Sequence, residues 1–431
     1  MIAADNVTRF AGKSYRMHRK SDLPKPPDAE ITRVPTPLLH VGIDATSWAN
    51  DRGFGRFTRE LVTSLASRSS GFRYTLLFDR IPEQTLPAAV EILNASTQST
   101  LTESAVGATS RSIGYLWKIG KLARKANFDL FFFPSVYSYF PILARVPCVV
   151  CYHDTTAERF PELVFPSKWN RCLWQLKTAL ARLQTTRAMT VSQTSAMDLE
   201  QILRIQRSRI DIVTEAPNPV FHVMNRRDVS TKIRSRYIIP ETADLLVYVG
   251  GLNPHKNLLG ILKAMREVIP ERPEVHLIIA GDISGKGFWD NIPDLKRFVH
   301  TYPPLERHVR FTGYLSDLEL AELLNDAEAL VFPSLWEGFG LPAVEAMACG
   351  LPVLASRSGS LPEIVGDAGL FFDPEDPSDI ASCVLRFLGN PELPPRLREM
   401  ALKRAHTFSW DRAADLAEQC FRRCHEDASR R

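Results

Sequence analysis

The sequence from Ser334 to Gly350 reads Ser-Leu-Trp-Glu-Gly-Phe-Gly-Leu-Pro-Ala-Val-Glu-Ala-Met-Ala-Cys-Gly, and it indicates the architecture of the chain. The run before it, Ala329-Leu-Val-Phe-Pro, is short and apolar, which is typical of a buried parallel strand. After Pro342 the alanines, the valine and the methionine favour a helix that the final glycine ends. The sequence therefore predicts a strand, a loop and a helix, with Glu337 on the loop and Glu345 in the first helical turn.

This arrangement suits a particular kind of ligand. The loop lies outside the carboxyl end of a strand, where open α/β sheets bind ligands. The helix start offers free N–H groups and partial positive charge, which suit a phosphate. Ionised carboxylates only accept hydrogen bonds, so Glu337 and Glu345 suit hydroxyl groups. Phosphate and hydroxyls together describe a nucleotide sugar, although Glu345 alone is equally explained as compensation of the helix dipole.

Length and composition narrow the class of protein. A chain of 431 residues with 45% hydrophobic residues is long enough for two domains with buried cores. The net charge is only +4 and no nucleic-acid-binding signature is present, so no nucleic acid is expected. The 7 cysteines are scattered, which suggests reduced thiols in a cytosol. No signal peptide or membrane span is predicted, so we expect a cytoplasmic protein with a flexible leader over residues 1–36.

Apolar runs alternate with helical stretches from Leu38 onward, which predicts an α/β fold with doubly wound sheets. One set of strands falls within residues 37–218, and a linker near Pro217-Asn-Pro219 separates it from a second set within residues 219–407. Two such sets predict two Rossmann-like domains that face each other across a cleft. Residues 82–112 are expected to hold a variable loop or short helix, and residues 408–431 a last helix capped by Ser409.

Two other segments of the second half also suit a phosphate. In Gly250-Gly-Leu-Asn-Pro-His-Lys-Asn257, glycines between a strand and a helix let the backbone approach a phosphate, and Lys256 supplies a positive charge. In Ser358-Gly-Ser-Leu-Pro-Glu363, a bend at Gly359 and Ser360 precedes a helix start. The final glutamate of this segment is also suited to the dipole of its own helix.

The string from Glu337 to Glu345 resembles the Glu-x7-Glu motif of the retaining GT-B glycosyltransferases of family 4, also called glycosyltransferase group 1. The resemblance covers about residues 38–425, and the Lys-Asn ending of the glycine loop is similar to that of mannosyltransferase-like members. It also implies that the last helix, within residues 408–431, packs back on the first domain. It implies a donor-binding set made of Gly250, Gly251, Lys256, Gly338, Phe339, Gly340, Leu341, Glu345, Gly359 and Ser360. The family often carries an arginine where this chain has Gly251, so the second cation for a diphosphate stays open between His255 and another arginine such as Arg357.

The first half resembles the same family more loosely. Tyr152-His-Asp154 is similar to the family's His-Asp segment, which implies that His153 contacts the transferred sugar, while Asp154 orients it or anchors the loop. Without the resemblance, a lone histidine reads as structural. Asp51-Arg-Gly-Phe-Gly-Arg56 resembles the family's glycine-rich loop, although Arg56 is equally explained as a surface residue of a helix. These segments and the end of the first strand give an expected acceptor or phosphate side made of Asp44, Gly53, Gly55, Arg56 and Asp154.

The resemblance implies a glycosyltransferase that moves a hexosyl unit, first of all mannosyl, from a nucleotide sugar to a glycan or lipid-linked saccharide with retention of configuration. The expected donor is GDP-mannose, with UDP-sugars next. The catalytic set is expected to be His153, Glu337 and Lys256. No metal or other cofactor is expected, because the sequence contains no Asp-x-Asp motif.

Other interpretations stay open at this stage. A GT-B sugar-nucleotide epimerase and a non-catalytic nucleotide-sugar or glycan-binding protein both fit the fold, and the glycine at position 251 is the best support for the second. An NAD dehydrogenase is weaker, because no Gly-x-Gly-x-x-Gly unit follows a strand. Residues 168–177 mix basic and aromatic side chains, so peripheral contact with the inner face of a membrane stays open beside an ordinary amphipathic helix.

Overall fold

The computed structural model describes residues 38–50, 53–95, 113–142, 144–283 and 291–430. The leader expected over residues 1–36 lies outside this description, as do Asp51, Arg52 and the stretch 96–112. From Leu38 onward the chain is a single unit, which consists of two lobes with one parallel sheet each. The two-lobed α/β architecture that the sequence predicts is therefore confirmed.

Seven parallel strands form the sheet of the first lobe, in the order β3-β2-β1-β4-β5-β6-β7. They are β1 (Leu39–Asp44), β2 (Phe72–Phe78), β3 (Glu91–Asn94), β4 (Leu130–Phe133), β5 (Cys148–Cys151), β6 (Thr185–Thr190) and β7 (Ile210–Ile212). Most are apolar runs buried on both faces, as in β4, whose four residues are all buried. The strand β3 lies in a stretch for which the sequence predicts a loop or short helix, and it is mostly exposed because it forms the edge of the sheet.

Helices cover both faces of this sheet. Within the described residues they are α1 (Gly53–Ala66), α2 (Ile113–Lys125), α3 (Thr156–Arg159), α4 (Pro161–Val164), α5 (Lys168–Gln184) and α6 (Gln193–Gln201), with short 3-10 turns at Val136–Ser138 and Arg207–Arg209. In α1, Phe57, Leu61 and Leu65 recur at helical spacing and are buried on one face of the sheet. The helices α2, α5 and α6 share a separate buried cluster on the opposite face, to which Ile119 and Ala181 belong.

Six parallel strands form the sheet of the second lobe, in the order β10-β9-β8-β11-β12-β13. They are β8 (Asp244–Val249), β9 (Val275–Ala280), β10 (Val309–Gly313), β11 (Ala329–Phe332), β12 (Val353–Ser356) and β13 (Gly369–Phe372). In each sheet the direction in which successive strands are added reverses once, between β1 and β4 in the first lobe and between β8 and β11 in the second. Ligands of open α/β sheets bind outside the carboxyl ends of strands at such switch points.

The described helices of the second lobe fit between its strands. They are α7 (Arg226–Tyr237), α8 (Leu258–Glu271), α9 (Ile292–His300), α10 (Pro303–His308), α11 (Asp317–Asp326), α12 (Leu341–Ala348), α13 (Leu361–Val365), α14 (Pro377–Gly389) and α15 (Leu393–Ala405), with 3-10 turns at Pro254–Lys256 and Gly366–Ala368. A capping box fixes the start of α11, where the Ser316 hydroxyl and the Glu319 side chain each bind the other residue's backbone N–H.

The last helix, α16 (Trp410–Ser429), packs against the sheet of the first lobe. The hydroxyl of Ser409 accepts a hydrogen bond from the backbone N–H of Arg412, which confirms the predicted cap. The ring of Phe421 lies 5.2 Å from that of Phe132 in β4. The carboxylate of Asp427 accepts a 2.7 Å hydrogen bond from Arg187 in β6. None of the helices in the described ranges is both long enough and apolar enough to cross a membrane.

Candidate functional site

The glycine loop after β8 is built to hold its backbone in one position. The hydroxyl of Tyr248, a residue buried in the strand, donates a 2.6 Å hydrogen bond to the carbonyl oxygen of Gly251. Gly250 directly follows the strand, and its backbone packs closely on Gly281. A Cβ on Gly281 would lie only 2.1 Å from the carbonyl oxygen of Gly250. The side-chain amide of Asn257, at the end of the loop, donates to the carbonyl oxygen of Pro333 at 3.1 Å. The loops that follow β8 and β11 are thereby joined.

Lys256 and Glu337, two residues that the sequence assigns to the catalytic set, contact each other. The ammonium group of Lys256 donates a 2.6 Å hydrogen bond to a carboxylate oxygen of Glu337. Both side chains are partly buried, so this ion pair is shielded from water more than a surface pair is. The cation suited to a phosphate and the carboxylate suited to hydroxyls therefore lie within reach of one ligand.

The segment at Gly359 and Ser360 supports the loop that carries Glu337. The backbone N–H of Ser360 donates to the carbonyl oxygen of Glu337 at 3.1 Å, and its hydroxyl donates to the carbonyl oxygen of Phe339 at 2.9 Å. A Cβ on Gly359 would lie 2.7 Å from the backbone of Glu337. Gly340 has φ +95°, a left-handed conformation that only glycine adopts freely, and it starts α12 at Leu341. The four residues Gly338 to Leu341 thus turn the chain from the loop into the helix.

Glu345 lies deeper in α12 than the sequence predicts, because the helix begins at Leu341 and has no acidic residue in its first turn. Its carboxylate is 2% exposed and accepts a hydrogen bond from the guanidinium of Arg56, a first-lobe residue in α1. The same guanidinium also donates to Asp317 at the start of α11. Dipole compensation therefore does not explain Glu345, and Arg56 is a bridge between the lobes rather than a surface residue.

Burial and charge act in opposite directions on this cluster. The pKa of Glu345 is raised to about 7, because burial and, less strongly, the carboxylate of Asp317 raise it by more than the nearby Arg56 lowers it. Burial lowers the pKa of Arg56, but Glu345 and Asp317 raise it by more, so the guanidinium keeps its charge. A buried carboxyl group that titrates near neutral pH beside a permanent cation is typical of a functional site.

His153 follows β5 and lies in the cleft, with both ring nitrogens occupied. Its Nδ1 lies 3.1 Å from a carboxylate oxygen of Glu215 and its Nε2 lies 2.9 Å from the carbonyl oxygen of Pro134. Carbonyl and ionised carboxylate oxygens only accept, so with Glu215 ionised both ring nitrogens carry a proton and the ring is an imidazolium. Burial lowers the pKa of His153, but Cys151 and the carboxylate of Glu215 raise it by more, to well above its usual range.

Asp154 does not orient this ring. Its carboxylate accepts a 2.8 Å hydrogen bond from the backbone N–H of Thr156, so it anchors the loop before α3. The orienting carboxylate is Glu215, which sequence reasoning missed. The available signal was a carboxylate three residues beyond the strand β7, in the linker that leads to the second lobe.

Gly338 lies at a close contact between the two lobes. A Cβ on Gly338 would lie 2.1 Å from the carbonyl oxygen of His153, so only glycine allows this approach. The carbonyl oxygen of Gly338 accepts hydrogen bonds from the hydroxyls of Ser192 at 2.6 Å and Ser195 at 3.0 Å. Both serines belong to the start of α6 in the first lobe, where the Ser192 hydroxyl also caps the helix.

The same end of α6 is bound a second time from the other lobe. The carboxylate of Glu363 accepts hydrogen bonds from the backbone N–H groups of Gln193 at 2.9 Å and Thr194 at 3.1 Å. Glu363 therefore caps helix α6 of the opposite lobe. This role is additional to any effect of its charge on the dipole of its own helix, α13. A further contact unforeseen from the sequence places the guanidinium of Arg159 3.8 Å from the ring centre of Trp336.

The remaining expected residues of the first lobe surround the start of α1. The carboxylate of Asp44, buried at the end of β1, accepts hydrogen bonds from the backbone N–H and the hydroxyl of Thr46. A Cβ on Gly55 would meet the carbonyl oxygen of Asn50 at 2.0 Å, whereas Gly53 has open space around it. Gly53, Gly55 and Arg56 thus lie together in the first turn of α1, and only Arg56 reaches the charged cluster.

Neither His255 nor Arg357 is suited to supply the second positive charge for a diphosphate beside Gly251. Burial and the nearby Lys256 lower the pKa of His255 to about 3, so its ring is neutral at physiological pH. Arg357 is exposed and lies 3.6 Å from the carboxylate of Asp379. Arg56 is the arginine that reaches the carboxylate of α12. In the described part of the chain, no three His, Cys, Asp or Glu residues are grouped so as to hold a metal ion.

The loops after β8 and β11 carry charged side chains at the switch point of one Rossmann-like sheet, and a second Rossmann-like lobe faces them. This arrangement defines the GT-B class of fold. The family model for glycosyltransferase family 4 matches residues 52–218, and the model for glycosyl transferases group 1 matches residues 229–404. The chain belongs to this family of GT-B glycosyltransferases.

Solved structures and curated relatives agree with this assignment. The sucrose-phosphate synthase of Thermosynechococcus elongatus matches 89% of this chain and 98% of its own at 18% identity with a TM-score of 0.70. HepE of Anabaena in complex with UDP-glucose covers 88% and 99% at 18% identity, also with a TM-score of 0.70. At this identity both establish the fold alone.

Among curated proteins, the O-antigen chain mannosyltransferase B of Escherichia coli is 38% identical over 166 residues, which is 38% of this chain and 42% of that protein. The MMP alpha-(1->4)-mannosyltransferase of Mycolicibacterium hassiacum is 31% identical over 290 residues, which is 64% of this chain and 63% of that protein. The chain thus spans less than two thirds of the length of these relatives.

Proposed function

We propose that this protein transfers a hexosyl unit, first of all mannosyl, from a nucleotide sugar to a glycan or lipid-linked saccharide, with retention of configuration and without a metal ion. One observation carries the proposal. Two carboxylates on the loop and helix that follow β11 are each paired with a cation from elsewhere in the fold: Glu337 with Lys256, from the loop after β8, and Glu345 with Arg56, from α1. Such a pair of sites offers cations for a diphosphate and acceptors for the hydroxyls of a sugar and a ribose.

The donor exchanges internal ion pairs for ion pairs with itself. Lys256 turns to the diphosphate, which releases Glu337 to accept hydrogen bonds from the hydroxyls of the transferred sugar. Glu345 accepts from the ribose. Arg56 is the second cation, in place of the arginine that this chain lacks at Gly251, because its guanidinium already reaches the donor helix. A preorganised cation of this kind is worth about 2.7–4 kcal/mol in the transition state.

His153 acts as a fixed positive charge rather than as a base. An imidazolium whose two N–H groups bind Glu215 and Pro134 has no lone pair with which to take a proton. The proton of the acceptor hydroxyl therefore passes to an oxygen of the departing diphosphate, on the face of the sugar that the diphosphate leaves. Attack on that face retains the anomeric configuration, which is the stereochemistry that the proposal requires.

The mannosyltransferase names of the curated relatives support GDP-mannose as the first donor to test. UDP-glucose is the second, since HepE is solved with that compound. The test has two stages. Thermal shift with a panel of GDP- and UDP-sugars identifies the donor, because a ligand at a hundred times its Kd stabilises the folded state by about 2.7 kcal/mol. Turnover is then followed with manno-oligosaccharide and polyprenyl-linked acceptors, and NMR gives the anomeric configuration of the product.

We expect GDP-mannose to stabilise the protein and mannose to be transferred with retention, at a rate unaffected by chelator. The variants Glu337→Gln and Lys256→Met should lose transfer, and Lys403→Met, which alters an exposed ion pair, is the matched control. Conversion of the donor without an acceptor would favour the epimerase, and binding without turnover would favour a non-catalytic protein. Turnover that stops with chelator and returns with magnesium would overturn the metal-free mechanism.

A further inference from the structure

Helix α5 exposes a row of large apolar side chains along its whole length. Trp169, Leu173, Leu176, Leu180 and Leu183 follow one another at intervals of four and three residues, so they lie on one line of the helix. Their exposed fractions are 70%, 43%, 59%, 38% and 83%. Single exposed apolar residues need no explanation, but a continuous row of five marks an interaction surface.

The charge of this helix has one sign. Its charged residues are Lys168, Arg171, Lys177 and Arg182, and it contains no aspartate or glutamate. Helix α2 lies on the same face of the sheet and also has only basic residues among its charged ones, including Lys121, Arg124 and Lys125. Helices α5 and α2 together therefore combine an apolar row with charges of positive sign only.

Two occupants suit an apolar row of this spacing. A second copy of this chain would form a two-helix coiled coil. Pairing two copies, however, brings together two helices that carry only positive charge, with no acid on either to offset it. The negative headgroups of an anionic bilayer offset that charge. A helix with basic residues beside exposed Trp and Leu side chains is also suited to bind at the boundary between headgroups and acyl chains. Charge complementarity favours the bilayer.

We propose that helix α5, assisted by the basic residues of α2, docks the first lobe on the surface of an anionic bilayer. The helix lies in the plane of the surface, with Trp169 and Leu183 inserted at its two ends. Lys168, Arg171 and Arg182 are exposed and face the lipid headgroups.

The docking face adjoins the acceptor side of the cleft. The ring of Tyr137 lies 5.6 Å from that of Phe54, in the first turn of α1, and 4.9 Å from that of Trp174 in α5. Three aromatic side chains thus connect the glycine-rich segment to the docking helix. Resting on the proposed function, this proximity selects the lipid-linked saccharide among the two acceptor classes, because a docked protein meets such an acceptor at the surface.

Vesicle co-sedimentation tests the docking without any donor or acceptor. The full chain is mixed with vesicles of phosphatidylcholine alone and with vesicles that contain phosphatidylglycerol, at low and at high salt. We expect binding only to the anionic vesicles, weakened by salt. The double variant Trp169→Gln/Leu183→Gln should bind about tenfold more weakly, and Lys168→Gln/Arg171→Gln by a similar factor. All four positions are exposed, so these variants should fold as the wild type does.

The matched control is Leu318→Gln/Arg297→Gln, which removes one exposed apolar and one exposed basic residue from the second lobe. It should bind as the wild type does. Equal binding of all variants, or no binding of the wild type to anionic vesicles, would overturn the proposal. So would light scattering that shows a dimer which Trp169→Gln/Leu183→Gln dissociates, because a second copy would then cover the helix.

The two proposals fail separately. Vesicle binding without transfer to any acceptor would remove the proposed function and leave the docking. Transfer to a soluble oligosaccharide without vesicle binding would remove the docking and leave the proposed function. With both in place, the docking variants should keep the rate on the soluble acceptor and lose about tenfold in rate on a lipid-linked acceptor in anionic vesicles.

Discussion

Substitution of Glu345 by glutamine should change how the stability of the protein depends on pH. The carboxyl group has a pKa near 4.5 in an unfolded chain and about 7 in the folded protein, where burial raises it. Between these values the folded state binds a proton that the unfolded state has lost. The contribution of this group to the free energy of unfolding is therefore full below pH 4.5, decreases as the pH rises towards about 7, and is constant above that.

The magnitude follows from the same two values. Each pKa unit corresponds to about 1.36 kcal/mol, so the span from 4.5 to about 7 amounts to about 3 kcal/mol. Glutamine keeps the shape of the side chain and an oxygen for Arg56 but does not titrate. The free energy of unfolding of the wild type minus that of Glu345→Gln should therefore fall by about 3 kcal/mol between about pH 4.5 and pH 8.

Urea unfolding followed by circular dichroism, at several pH values across this range, measures the difference. Asp294→Asn, a change of an exposed carboxylate, is the control for effects common to acid-to-amide substitutions. In an Arg56→Met background the carboxyl loses the cation that opposes burial, so the decrease should move to higher pH. A difference that is flat or rises with pH would refute the reasoning, because Arg56 would then hold Glu345 ionised over the whole range.

Substitutions at three other positions test other parts of the site. Lys256→Met should lower kcat with the accepted donor by about a hundredfold or more while Lys256→Arg retains part of it, and equal rates would exclude the lysine from catalysis. Glu215→Gln removes the carboxylate that raises the pKa of His153, so the alkaline limb of the kcat/KM profile should move to lower pH, and an unmoved limb would contradict the imidazolium. Gly338→Ala places a Cβ against the His153 carbonyl oxygen, so small-angle scattering should show a larger radius of gyration and turnover should fall more than about tenfold; unchanged scattering would count against lobe contact at this residue.

The strands and their order of appearance could be predicted because parallel strands buried on both faces are continuous apolar runs. Residues 329–333 are an example, since the strand Ala329–Phe332 is fully buried. The edge strand Glu91–Asn94 could not be predicted, because three of its four residues are exposed and carry no apolar run. The sequence signal is thus strongest where the sheet is covered and weakest at its edge.

The site could be predicted only in part. Spacing placed Glu337 beside a strand and near Lys256, because both follow neighbouring strands of one sheet. It misplaced the helix start by one residue and so put Glu345 in the first turn, because the start depends on the left-handed Gly340 rather than on the proline at position 342. The partner Arg56 depends on how the two lobes meet, and no local pattern encodes its contact with Glu345, 289 residues away. The partner Glu215 lies in the first lobe, but it is 62 residues from His153, so no local pattern encodes that contact either.

The charges of the site constrain the route by which a donor enters. Lys256 and Glu337 belong to the same lobe, so a diphosphate can separate them by side-chain rotation alone. Arg56 and Glu345 belong to different lobes, and Glu345 is buried beneath their contact. Under the proposed function, a ribose therefore reaches Glu345 only when the lobes part and Arg56 withdraws. The return of Arg56 then brings a second positive charge to the diphosphate, so that closure and completion of the cationic site are one event.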